Sequence, residues 1–275
     1  MEQQALNKDL ISNPRLWRLA IRINENKVHI VLLCSVEDNS LIYREIPLDS
    51  ATLSQQKALE EVIYDNPLLL SDFDKIDCII ESNKFTIVPT EINDIDTQEK
   101  IFKASFPNFE GTIIDNNIAE LNATILMGVD NEIINFLRRT FNNPRILHHL
   151  TPLCTYFHRK NRLGNTGKMY ANIHDNHIDL LSFNKDSLQL ANTFEFREPI
   201  DAIYYILACR QMLKLDPESD ELFIAGNNDI REAITPTLRE YLAYVMPIIF
   251  PAAMFKAGKD ALNAPFDLII LPLCE

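Results

Sequence analysis

Two histidines and an aspartate, His174, Asp175 and His177, fall within one short polar segment of the chain. Imidazole nitrogens and carboxylate oxygens are the ligands of zinc and related ions, so this group could bind a divalent metal. A polar turn between two strands can also carry solvated histidines that have no ligand. We take the second interpretation as the simpler one and predict no metal at this turn.

A second group with metal-ligand chemistry precedes it. Cys154 and His158 are four residues apart on a predicted helix, and His148 and His149 lie just upstream. A cysteine and a histidine at this spacing share one helix face and could bind a metal together. Because Cys154 stands beside Leu153 in an apolar pattern, we predict that its thiol packs in the core instead. No nucleophile elbow of the form GxSxG is present, and we predict no catalytic residues.

The group of His174, Asp175 and His177 lies in a segment that is repeated within the chain. The segment AIRINENKVHIVL, Ala20–Leu32, returns as YANIHDNHIDLLS, Tyr170–Ser182, 150 positions later. The polar and apolar positions of the two segments correspond, and in each the centre is a polar turn between two apolar runs. The identical pairs are Ile23 with Ile173 and Asn26 with Asn176. Both segments therefore predict a hairpin of two strands.

The elements around the hairpins also repeat. In the first half, alternation over 17–23 predicts a strand, 28–36 and 41–48 predict two more, and a helix ending near Asp65 precedes a strand over 75–81. In the second half two strands flank the turn, 188–196 is a third strand, Pro199 begins a helix, and 221–226 is a strand. Two copies of strand, strand, strand, helix and strand predict a duplicated α/β unit with mixed sheets.

The duplication predicts two lobes. We place the first at 1–162 and the second at 163–275, with the boundary in the glycine-bearing segment RLGNTGK, Arg162–Lys168. We also predict that the apolar run Tyr244–Phe255 is a buried strand, and that Tyr204, Tyr205, Tyr241 and Tyr244 lie at the edge of the core.

Two such units resemble the actin-like ATPase fold, a ribonuclease H-like fold shared by actin, sugar kinases and the heat-shock chaperone ATPase domain. The whole chain also looks like a family of uncharacterised proteins from the Bacteroidetes assigned to this fold, which brings no known activity. The resemblance implies that the two halves face each other across a cleft. It also implies that the first hairpin of each half grips the nucleotide phosphates.

The same resemblance implies where a nucleotide would bind. The positions it marks are Asn24, Glu25, Asn26, Lys27, His174, Asp175, Asn176, His177, Gly226 and Asn227. Active members carry an aspartate that organises Mg²⁺ through water, followed two positions later by a glycine that admits the phosphate. In this chain Asn24 and His174 replace the aspartate, and asparagine replaces the glycine in both copies.

A third nucleotide motif of the fold, a glycine pair after a strand, is reduced to Gly226 in FIAGNND, Phe223–Asp229. The whole chain has only 6 glycines in 275 residues, or about 2% against a usual value of about 7%. We therefore predict a pseudo-ATPase without a cofactor and disfavour ATP and Mg²⁺.

The amino-acid composition argues against nucleic acid and membranes as partners. The 39 acidic and 26 basic residues give a net charge of -13, which repels nucleic acid, and the densest basic clusters, such as Arg138–Arg139, are short. No segment reaches the roughly 18 apolar residues of a membrane span. Five cysteines without CxxC spacing indicate buried thiols in a reducing compartment, so we predict a cytoplasmic protein.

The function that fits these observations is a non-catalytic scaffold that binds a protein partner or associates with itself. Two alternatives remain open at this point. One is a protein that binds or hydrolyses ATP, and the other is an enzyme with an unidentified small ligand in the cleft between the lobes.

Overall fold

The computed structural model describes residues 5–49, 52–92, 94–161, 166–184 and 187–274. The strands are β1 (Trp17–Ile23), β2 (Lys27–Cys34), β3 (Ile42–Pro47), β4 (Lys75–Ile80), β5 (Phe85–Pro89), β6 (Thr112–Ile118), β7 (Ala123–Val129), β8 (Arg145–His148), β9 (Lys168–Ile173), β10 (His177–Phe183), β11 (Leu188–Glu195), β12 (Glu221–Gly226) and β13 (Val245–Pro247). The α-helices are α1 (Gln55–Tyr64), α2 (Ile95–Ser105), α3 (Asn131–Thr140), α4 (Leu150–Asn161), α5 (Pro199–Met212), α6 (Asn228–Tyr241) and α7 (Phe266–Ile270).

The chain folds into two compact units. The first unit comprises Met1–Asn117, Asn122–Thr151 and Pro251–Ile269, and the second comprises Ile118–Leu121, Pro152–Phe250 and Ile270–Glu275. The predicted boundary between residues 162 and 163 lies outside the described residues.

The first unit is built on a five-stranded sheet in the order β3-β2-β1-β4-β8. Strands β1 and β2 are antiparallel, with Ile23 opposite Val28, while β1 and β4 are parallel. Because side chains alternate along a strand, Leu19, Ile21 and Ile23 of β1 point to the same side. They lie in one apolar core that also includes side chains of α1 and α3. Helix α3 begins where the Asp130 carboxylate accepts a hydrogen bond from the backbone N–H of Glu132.

The same unit carries a smaller, three-stranded sheet in the order β5-β7-β6. Strands β5 and β7 are antiparallel, and Val88 and Leu126 from them pack with Phe102 of α2 in a separate apolar cluster.

The second unit has a five-stranded sheet in the order β11-β10-β9-β12-β13. Its pairings follow those of the first unit: β9 and β10 are antiparallel with Ile173 opposite Ile178, and β9 and β12 are parallel. The predicted order of strand, strand, strand, helix and strand is therefore present in both units. Met169, Ala171 and Ile173 face an apolar core shared with α5 and α6.

The opposite face of each five-stranded sheet includes buried polar side chains. In the first unit Arg22 and His29 lie opposite each other in the β1–β2 pair, and both side chains are buried. In the second unit Asn172 and Asp179 hold the corresponding positions and are buried as well. Because buried polar groups need hydrogen-bond partners, this face is where side-chain chemistry concentrates in both units.

The prediction of one buried strand over Tyr244–Phe255 is wrong. Strand β13 is limited to Val245–Pro247, and Ile249 and Phe255 are 84% and 61% exposed. The reason is that Pro247 and Pro251 have no N–H to donate to a sheet. From Pro251 the chain returns to the first unit, where Asn39 and Leu41 donate backbone hydrogen bonds to Lys256 and Ala257.

The prediction for the four tyrosines is also largely wrong. Tyr205 is half-buried and stacks on Phe194, but Tyr204, Tyr241 and Tyr244 are exposed. Among the described residues, no helix has both the length and the apolar character needed to cross a membrane.

Candidate functional site

The first hairpin is closed by the side chain of Asn24. Its Oδ1 accepts hydrogen bonds from the backbone N–H groups of Asn26, at 3.0 Å, and Lys27, at 2.8 Å. The backbone N–H of Asn24 also donates to the Lys27 carbonyl across the turn. Asparagine suits this role because its short amide reaches backbone groups two and three residues ahead.

The other hairpin residues are tied to the neighbouring strand. Lys27 Nζ lies 3.1 Å from Glu45 Oε1 of β3, and the Asn26 carbonyl accepts a hydrogen bond from the Leu48 backbone. The Glu25 side chain is exposed. The hairpin therefore directs one carboxylate to solvent and keeps its lysine in an ion pair.

These contacts bear on whether Mg²⁺-ATP fits the hairpin. A phosphate-gripping turn presents free backbone N–H groups to the anion. Here the N–H groups of Asn26 and Lys27 already donate to Asn24, and the asparagine in the place of glycine adds a side chain where a phosphate would approach. These contacts oppose the binding of a phosphate at the first hairpin.

The second hairpin has the same backbone closure and different side-chain chemistry. The His174 N–H donates to the His177 carbonyl, but the two imidazoles turn inward and stack, with ring centroids 4.1 Å apart and planes at 11°. His177 is only 5% exposed. The prediction that these histidines are solvated is therefore wrong for His177 and, at 12% side-chain exposure, for His174.

The histidines lie beside a buried carboxylate, that of Asp179. His174 Nε2 is 2.7 Å from Asp179 Oδ2, and Asn172 Nδ2 donates to the same oxygen at 3.2 Å. Thr193 Oγ1 of β11 donates to Asp179 Oδ1 at 2.8 Å. Asp179 has no exposed surface, so these donors stabilise a charge that burial alone would disfavour.

Asp175 has a separate role. Its side chain is exposed, and Oδ1 accepts a hydrogen bond from Asn227 Nδ2 at 3.0 Å. The carboxylate next to the histidines is therefore Asp179 and not Asp175, which the sequence grouped with them. The hairpin register was the missed signal, because Asn172 pairs with Asp179 and a period of two then brings His174 and His177 to the same face.

Gly226 and Asn227 connect β12 to α6. Gly226 has a φ of +93°, and a Cβ atom added there would lie 1.9 Å from the Ile173 carbonyl oxygen. The Asn227 N–H donates to that same oxygen, and its side-chain Oδ1 accepts from the Ile230 N–H at the start of α6. The backbone approach explains the glycine without any ligand, and the helix N-terminus is already capped.

The second group with metal-ligand chemistry, for which the sequence predicted no metal, is divided between the two units. His148 and His149 belong to the first unit, where His148 Nε2 lies 2.9 Å from the Ser82 carbonyl oxygen. Cys154 belongs to the second unit and is buried as predicted; burial, and then the Asp179 charge, raise the pKa of its thiol. Within the ranges that the structure describes, the metal-competent group is His174, His177 and Asp179.

Comparison with known proteins places the chain among relatives without an assigned activity. Residues 7–245 match the sequence profile of a family described as "Protein of unknown function (DUF3822)". No curated protein sequence matches the chain significantly.

Two solved structures show the fold. The chain is similar to a Bacteroides thetaiotaomicron protein with actin-like ATPase fold and unknown function, with a TM-score of 0.82 and 27% identity over 95% of this chain and 97% of that one. It is also similar to the PilM–PilN type IV pilus biogenesis complex, with a TM-score of 0.55 and 13% identity over 95% of this chain and 98% of that one. The predicted actin-like ATPase fold is thereby confirmed.

Proposed function

The chain belongs to the DUF3822 family of proteins of unknown function, and from that premise we propose that it is a non-catalytic binding protein of the cytoplasm. Its ligand is another protein or a second copy of this chain. The actin-like ATPase fold serves as a scaffold in this role, because a fold by itself does not specify an activity.

The observation that carries the proposal is the hydrogen bonding of Asn24. Its Oδ1 takes the two backbone N–H groups, those of Asn26 and Lys27, that a phosphate at this turn would need. A nucleotide could use them only if the Asn24 hydrogen bonds were broken. This cost opposes ATP binding and argues against ATP as the ligand.

The second hairpin supports the same conclusion by different means. An imidazole, that of His174, stands where the resemblance implies a Mg²⁺-organising aspartate, and it is bonded to Asp179. The one glycine kept from the third motif, Gly226, is accounted for by its contact with the Ile173 backbone. Three motifs altered together oppose nucleotide use more strongly than one, since a neighbouring group can compensate for a single change.

The second unit also offers an apolar surface. Ile200 and Tyr204 are 61% and 67% exposed and lie at i and i+4 on α5, so they are neighbours on one outward face. Exposed aromatic and aliphatic side chains of this kind are common anchors of protein interfaces. Among structures of this fold, the PilM–PilN complex joins two different proteins, which favours a protein ligand by analogy.

Calorimetric titration of the purified chain with Mg²⁺-ATP, combined with an ATP hydrolysis assay, tests the negative half of the proposal. We expect no saturable heat and no hydrolysis above a buffer control. Saturable binding that Asn24→Ala strengthens would identify the first hairpin as a nucleotide site and would overturn the proposal.

The positive half is tested with a double variant, Ile200→Glu with Tyr204→Glu, in light scattering over a concentration series and in affinity capture from the cells that express the protein. We expect the variant to lose self-association or a captured partner while its circular dichroism is unchanged. Gln211→Glu, an exposed position on the same helix, is the matched control and should behave like the wild type. A wild-type chain that is monomeric and captures nothing would contradict the scaffold role.

A further inference from the structure

We propose that His174, His177 and Asp179 bind one divalent transition-metal ion of the Zn²⁺ class. Each residue offers one ligand atom, and the three atoms lie within 4.8 Å of one another. Two imidazoles and a carboxylate are a ligand set that Zn²⁺ uses in proteins, whereas Mg²⁺ and Ca²⁺ prefer oxygen ligands alone. The chemistry of the group therefore selects the class of ion.

The register of the β9–β10 hairpin is what brings the ligands together. His177 and Asp179 are two residues apart on β10 and so share a face, and the turn returns His174 to that face from the end of β9. A tetrahedral ion with bonds of about 2.1 Å needs ligand atoms about 3.4 Å apart. The three ligand atoms lie within 4.8 Å of one another, and His174 Nε2 and Asp179 Oδ2, at 2.7 Å, must separate slightly to reach this spacing.

The surrounding side chains hold two of the ligands in orientations suited to a metal. His177 Nδ1 lies 3.0 Å from Asn176 Oδ1, so Nδ1 carries the proton that it donates, and Nε2 carries the lone pair. Thr193 Oγ1 donates to Asp179 Oδ1 and leaves Oδ2 directed towards His174. Hydrogen bonds of this kind fix the tautomer and direction of metal ligands.

The charge of the site also suits a cation. Asp179 has no exposed surface, and a buried carboxylate is stabilised when a cation binds it. In the metal-free chain, the His174 Nε2–H donates to Asp179 Oδ2. For Nε2 to bind the ion, that proton must move to Nδ1 by exchange with solvent, so His174 binds the ion as its other tautomer.

Metal entry needs a route from solvent. The His174 side chain is 12% exposed, so the ligand at the end of β9 reaches the surface while Asp179 does not. Three protein ligands would leave one position of a tetrahedral ion for water. The exposed edge of His174 therefore provides the entrance.

The experiment uses the full-length chain after treatment with a chelator. Zn²⁺ is titrated by calorimetry in competition with a chelator of known affinity, and Co²⁺ is added separately as a spectroscopic probe. We expect one ion per chain and Co²⁺ bands of a nitrogen and oxygen site without a thiolate charge-transfer band, because none of the ligands is a cysteine.

Four variants separate this site from its neighbours. Asp179→Asn and His177→Gln should each lower the Zn²⁺ affinity at least tenfold. Thr193→Val, which removes a hydrogen bond to a ligand and not a ligand itself, should lower it about 10–100-fold. Asp175→Asn is the matched control, because Asp175 lies in the same turn but bonds to Asn227, and it should bind like the wild type.

A wild-type chain that binds no Zn²⁺ would show that His174, His177 and Asp179 only stabilise the hairpin through hydrogen bonds. A thiolate band in the Co²⁺ spectrum, or an equal loss in Asp175→Asn and Asp179→Asn, would also overturn the assignment. If Asp179→Asn and His177→Gln do not fold, the wild-type Co²⁺ spectrum and His174→Ala, at the more exposed ligand, decide the question.

Discussion

The side chains of Arg22 and Asp267 form an ion pair inside the first unit although 245 positions separate them, with Arg22 Nε 2.8 Å from Asp267 Oδ2. Arg22 is 2% exposed and Asp267 is fully buried. A second carboxylate, Glu81 Oε2, lies 2.6 Å from Arg22 Nη2. The pair therefore holds the returning C-terminal segment, through α7, against strand β1.

Asp267→Ala should lower the free energy of unfolding of the first unit by about 3 kcal/mol, because removing one partner leaves a buried charge with less compensation. Arg22 keeps its ion pair with Glu81 in this variant, so the loss of stability should fall at the low end of the range usual for breaking a buried ion pair. Fluorescence of Trp17, the only tryptophan and a residue of β1, reports the unfolding of this unit in urea. Asp72→Ala, which breaks the exposed pair with Arg15, should cost less than about 1 kcal/mol. Equal costs for the two variants would refute the structural role of Asp267.

Gly226→Ala should prevent the second unit from folding normally, since the new Cβ would lie 1.9 Å from the Ile173 carbonyl oxygen. Gly258→Ala is the comparison, because Gly258 also has a positive φ but its Cβ would meet nothing closer than 3.3 Å. Gly258→Ala should cost about 1–3 kcal/mol from backbone strain alone. Thermal unfolding followed by circular dichroism measures both, and a Gly226→Ala variant as stable as Gly258→Ala would contradict the expected collision.

Asn24→Ala should lower the free energy of unfolding of the first unit by about 1–2 kcal/mol, because it removes the acceptor of two backbone hydrogen bonds. Asn24→Asp keeps an acceptor oxygen in the same place and should stay close to the wild type. Urea unfolding followed by Trp17 fluorescence compares the three chains. If Asn24→Asp destabilises as much as Asn24→Ala, the side-chain oxygen does not close the turn.

Thiol labelling should distinguish Cys274 from the other cysteines. Cys34, Cys78, Cys154 and Cys209 are buried, whereas Cys274 is half-buried. Burial raises the pKa of the Cys78 and Cys154 thiols, so both remain protonated and unreactive at neutral and mildly alkaline pH. Iodoacetamide followed by peptide mass spectrometry should label Cys274 first in the native chain and all five residues in urea. Fast native labelling of Cys154 would show that helix α4, which carries it, separates readily from the core.

Local patterns in the sequence predict most elements of the two large sheets. Alternation of apolar residues locates β1 at Trp17–Ile23, and Pro199 begins α5. These features depend on neighbouring residues and on the periods of the strand and the helix, which any segment carries by itself. The strand prediction for Tyr244–Phe255 was wrong because it relied on the apolar composition of the run and gave too little weight to Pro247 and Pro251.

The candidate site was only partly predictable. The sequence determined that His174 and His177 belong to one hairpin, because the polar segment that contains them separates two apolar runs. The sequence grouped Asp175 with them, whereas in the tertiary structure Asp179 is the carboxylate that bonds to His174 and Asp175 bonds to Asn227. A side chain's neighbours across a sheet depend on register, and Thr193 reaches Asp179 from a third strand.

What the sequence by itself determined is the succession of elements, their apolar faces and the absence of glycine from both hairpins. Only the tertiary structure decided that Asn24 closes its own turn and that Asp267 meets Arg22. The physical reason is that backbone periodicity is a local property with a signal in every segment. A buried polar contact between distant residues offsets the free-energy cost of desolvating them, and that cost arises only when the folded chain buries them together.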